Sequence, residues 1–156
     1  MKIIGFIIFL MFLADISVAQ ESPKSDFNGK IIESAILWEA ELDSAWTPIK
    51  MAKVVNNKDM FEPQGNFYKV KQDLFVFGHK ATYVGMLGVD LFPGPNAVLI
   101  GSPESIAAYI TQYRGVKFIK HGAAFSSEYK KHIRIMIEDH PTIKGSSIII
   151  GAYLGP

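Results

Sequence analysis

The chain has 156 residues, no cysteine, 16 basic and 15 acidic side chains, and 49% apolar residues. The absence of thiols excludes disulfides, thiolate metal centres, thiol nucleophiles and a lipid attached through cysteine. A balanced charge without a long Lys/Arg cluster argues against a nucleic acid or anionic-membrane partner. The densest basic spot, Lys130, Lys131 and Arg134, is the size of an ordinary solvated face.

Residues 1–19, MKIIGFIIFLMFLADISVA, open with Lys2, continue as an apolar run from Ile3 to Ala14, and end on the small residues Ser17, Val18 and Ala19. That is the pattern of a secretory signal peptide cut between Ala19 and Gln20. Twelve helical residues reach about 18 Å against a hydrocarbon core of about 30 Å, so no membrane anchor is expected after cleavage. Export to a periplasm or medium follows, a bacterial one more readily than a eukaryotic secretory route. Removing these 19 residues from 156 leaves 137, the size of one domain. A domain of that length buries roughly two-thirds of its unfolded surface and needs no covalent staple.

Residues 20–29, QESPKSDFNG, read as a flexible leader, and residues 30–156 as a single domain. Ile36 to Leu42 alternates Trp38, Ala40 and Leu42 against Glu39 and Glu41, which predicts a strand. Thr47-Pro48 and Asn56-Asn57 bracket a short helix over 48–55. Strands are predicted at Phe67–Lys71, Leu74–Phe77, Thr82–Val84, Ala97–Ile100 and Val116–Ile119, separated by glycine-rich breaks. Ser102 as cap, Pro103 in the first turn, Glu104 near the positive end and Gly115 past the last turn predict a helix over 103–114. Ile133, Ile135 and Ile137 alternate with Arg134, Met136 and Glu138 as a half-buried strand. Ser147 to Leu154 is a further apolar strand, expected in the sheet interior. The fold class expected is α+β: a mainly antiparallel, twisted sheet with one well-defined helix and one or two short helices packed on it.

Four histidines are the natural metal ligands or general bases. His132 and His140 lie eight strand steps apart, about 26 Å, too far to share one zinc. No HExxH, GxSxG, Walker A or GxGxxG motif occurs, and Ser127 to Lys130 fits S-x-x-K without its companion motifs. No metal and no cofactor is therefore expected. His79, with Asp90 or His140 as partner, is the one weak catalytic candidate. The rigid turn Phe92-Pro-Gly-Pro-Asn96 stands out as a presenting loop, because a stiff turn loses little freedom on binding; Asp90, Phe92 and Asn96 are its candidate binding residues.

The function expected is that of an exported, soluble binding module, an inhibitor- or immunity-like partner of another envelope or secreted protein. A small extracytoplasmic hydrolase or metal-dependent enzyme built on His79 is the first alternative. A structural component of an envelope assembly, pairing through its terminal strand, is the second.

Overall fold

The computed structural model describes residues 26–39, 46–85, 94–130 and 132–154. Among these described residues three helices, α1 (Phe27–Ile36), α2 (Trp46–Val55) and α3 (Pro103–Arg114), accompany nine strands. These are β1 (Phe61–Gln64), β2 (Phe67–Val70), β3 (Phe75–Val76), β4 (His79–Gly85), β5 (Asn96–Ile100), β6 (Ile119–His121), β7 (Ala124–Lys130), β8 (Ile133–Asp139) and β9 (Ser146–Tyr153). All pairings are antiparallel, in the order β1-β2-β4-β5-β9-β8-β7-β6, with β3 on β4. The α+β class expected from the sequence is the class observed.

Helix α3 has the bounds its signals predict. The Ser102 side chain accepts the Ser105 N–H, and Gly115 closes the helix in the left-handed region at φ 68°. Ile106, Ala107 and Ile110 form its buried stripe. Helix α2 covers the predicted short helix. Strand β9 lies between β5 and β8, in the interior as expected.

Helix α1 corrects two expectations. It begins at Phe27, inside the predicted leader, because Asp26 accepts the Gly29 N–H at 2.7 Å and caps it. It also takes Ile36 out of the predicted 36–42 strand: Ile32, Ala35 and Ile36 recur at helical spacing and are all fully buried. The chain then turns at Trp38, a non-glycine residue at φ 50°. Residues 40–45 lie outside the described set. The strand predicted at 116–119 is displaced to Ile119–His121, and β1 and β7 had no clear sequence signal.

Two apolar layers result. On the helical face Ile32, Ile36, Met51, Ile106 and Ile110 meet Ala97, Leu99, Ile135, Ile137 and Ile149. On the opposite face Val98, Ile148 and Ile150 form a smaller cluster with Tyr83 and Ile143 against it. The period-two alternation of β5 and β9 sends neighbouring residues to opposite layers. That second, outer layer positions the candidate site.

Candidate functional site

Alternation in β2 sends Tyr68 and Val70 inward to the helical core and leaves Phe67 and Lys69 on the outer face. The rings of Phe67 and Tyr83 meet edge to face, 6.4 Å between centroids at 75°. With Gln64, Val98, His140 and Ile143 they line a cleft of about 230 Å³. Val98, 1% exposed, provides an apolar floor. His140 accepts the N–H groups of Ile143 at 3.0 Å and Thr142 at 3.3 Å on Nδ1, so its proton sits on Nε2 and remains a donor. A second cleft of about 680 Å³ shares Tyr83 and Ile143 with the first and adds Lys69, Lys71, Lys80 and Asp73 among its walls. The two adjoin at Tyr83 and Ile143 and are together termed the groove, with an aromatic, apolar end and a cationic end.

His79 lies elsewhere, at the start of β4 beside the first turn of α3. Its Nδ1 is 2.6 Å from Phe77 O, which can only accept, so Nδ1 carries the proton. Its Nε2 then faces Ser105 Oγ at 3.1 Å, while that hydroxyl also lies 2.9 Å from Ser102 O. Gly101 makes this approach possible, since a Cβ there would sit 2.7 Å from His79 Cδ2. The partners expected for His79 were Asp90 or His140. Asp90 lies outside the described residues; among those described, His79 Nε2 faces Ser105, and His140 bonds within the 140–143 turn. Ser127, the serine of the S-x-x-K match, donates to Lys117 O.

Asn96 is not on a presenting turn. It opens β5, is fully buried, and donates from its side-chain amide to Gly94 O at 3.2 Å. It fills the space a side chain at Gly85, its register partner, would need. Asp90 and Phe92 lie outside the described residues.

A third polar locus joins the helices. Glu33, 4% exposed, accepts the Phe77 N–H at 2.6 Å and approaches Arg114 at 3.9 Å. Arg114 also pairs with Glu39 at 2.6 Å, and Ser34 donates to Glu39 at 3.2 Å. Burial, followed by the Glu39 charge, pushes the Tyr129 hydroxyl above its ordinary pKa. Phe77 sits at φ 49°, a conformation that the bond from Glu33 helps to hold. This network anchors α1 to α3 and to the end of β3; the two clefts described are lined by other residues.

Among the described residues no three His, Asp or Glu side chains come together to hold a metal ion, and no helix is long and apolar enough to cross a membrane. The groove had no signal in the sequence: its walls come from β1, β2, β4, β5 and the β8–β9 turn, and only alternation within β2 hinted at Phe67 and Lys69 together. No protein-family model matches the chain, and neither a curated protein nor a solved structure does.

Proposed function

We propose that the protein is an exported binding module that takes its ligand in the groove on the outer face of the sheet. The observation that carries this reading is the cleft framed by the Phe67–Tyr83 pair, with an apolar floor at Val98 and polar groups at Gln64 and His140 on its rim. Ligand sites are typically concave, mostly apolar and equipped with a few placed polar groups. A groove of this size takes a small molecule or one projecting segment of another exported protein.

The test is a fragment screen read by backbone amide shifts. Aromatic and aliphatic fragments are expected to move the signals of Phe67, Tyr83 and Ile143 together. Phe67→Ala should weaken the best fragment by about tenfold, the value of one well-packed aromatic contact, while the melting temperature stays within a few degrees. Shifts scattered over the surface would defeat the reading.

A second reading, a small hydrolase, draws on the His79–Ser105 pair, where a histidine with its Nδ1 proton engaged faces a hydroxyl at hydrogen-bond distance. An aryl fluorophosphonate discriminates the two. The binding module leaves Ser105 unlabelled; labelling at Ser105 that disappears in His79→Ala would move the enzyme to first place.

A further inference from the structure

We propose that the occupant of this groove is a single-chain amphiphile with an anionic head, its tail on the aromatic end and its head at the cationic end. The inference rests on the groove being the ligand site and adds the chemical class of the ligand.

The argument is charge complementarity along one continuous surface. The larger cleft counts three lysines against one carboxylate among its walls. Asp73 is already engaged, 2.5 Å from Lys80, and Lys71 donates to Lys58 O at 3.0 Å. The Lys69 side chain makes no ion pair or hydrogen bond among the described residues and is exposed, with Glu62 opposite it in the β1–β2 register. Its neighbour two positions earlier, Phe67, projects from the same face of β2 into the apolar cleft. A positive head site therefore stands about 7 Å, two strand steps, from an aromatic wall. Tyr83 and Ile143 belong to both clefts, so the two adjoin at these side chains. A small inorganic anion would leave the Phe67–Tyr83 end empty, and a neutral apolar ligand would leave unused the excess of lysines over carboxylates, which persists even with Glu62 opposite Lys69 in the β1–β2 register. A molecule carrying both parts meets both ends.

The experiment titrates the full chain with dodecanoate and with dodecanol, which share a tail and differ in head charge. Amide shifts at Phe67, Lys69 and Tyr83 report the groove separately from the apolar residues 3–14. Dodecanoate is expected to bind at least fivefold more tightly than dodecanol. Lys69→Glu, which removes one attraction and adds one repulsion, should cost dodecanoate at least about fivefold and leave dodecanol unchanged. Raised salt should weaken dodecanoate alone. Equal affinity for the two, or indifference of dodecanoate to Lys69→Glu, overturns the anionic head while leaving a ligand groove in place. Binding of neither, with fragments still bound at Phe67 and Tyr83, overturns the amphiphile as a class. Failure of the fragments as well removes the groove itself.

Discussion

Tyr129 is half-buried on β7, and two influences there favour its neutral form: removal from water and the nearby Glu39 carboxylate, against a smaller opposing pull from Arg114. A folded-state pKa raised above the unfolded value of about 10.0 means that the fold holds the phenol proton more tightly than the open chain does. The stability this contributes is complete below about pH 10 and is lost as pH climbs through the raised value. Urea unfolding followed from pH 9 to pH 11 should therefore show a steeper loss in the parent than in Tyr129→Phe; identical slopes would mean that the fold does not raise the pKa of this phenol. Glu104 has the opposite sign. Its hydrogen bond to Lys120 holds its carboxyl below the ordinary range, so its small contribution is present at neutral pH and fades as pH falls through the lowered value. Residue pairs of this kind were invisible in the sequence. Glu39 and Tyr129 are far apart along the chain, and Ser105 meets His79 across 26 positions.

At the scale of elements, legibility followed the locality of the signal. Helix α3 carries its cap, its proline, its apolar stripe and its closing glycine within residues 102–115, so tertiary context had little to override. Strand β8 alternates without interruption. Helix α1 was misread because the alternation around Trp38 drew the predicted strand back to Ile36, while the decisive cap, Asp26, lay in a stretch that looked like loose leader. Strand β1 contains Pro63, tolerated because β1 is the edge strand among the described residues, with no described outer partner that needs an N–H there. Strand β7 mixes exposed and half-buried positions and includes a register shift between Glu128 and Lys130, which blurs any period of two. The seating of α1 on the sheet depends on one small residue. Gly151 lies under the end of the helix, where a Cβ would fall 1.7 Å from Ile36 O. Its own carbonyl accepts the indole N–H of Trp38 at 2.9 Å, and the Trp38 ring leans on Tyr153 with 5.6 Å between centroids. Gly151→Ala cannot be accommodated by turning a side chain, since the obstacle is backbone. It should cost more than about 2 kcal/mol in chemical denaturation. A variant as stable as the parent would show that α1 is free to lift.

Across the whole molecule, β9 is the seam. On one side β5 continues into β4, β2 and β1; on the other β8 continues into β7 and β6. The register runs from Asn96 opposite Ile150 to Ile100 opposite Ser146 on one flank, and from Ile133 opposite Tyr153 to Asp139 opposite Ser147 on the other. A chain ending at Gly145 keeps both half-sheets in sequence but exposes the facing edges of β5 and β8. It should be cleaved throughout by a protease under conditions in which the parent resists, and a protected fragment from either half would show that the halves fold alone. The candidate groove was hidden from the sequence for a related reason, being assembled from strands on one flank of the seam and from the turn that leads into it.

The position of that seam also sets a timetable. Ribosomes deliver residues in order, and the piece that zips the two flanks comes some fifty positions after β5, so a growing chain carries two raw β borders until β9 has emerged. Under the proposed export, such delay would suit a chain that threads a narrow translocation pore before it hardens. It also marks the interval in which a holding chaperone has the most to protect.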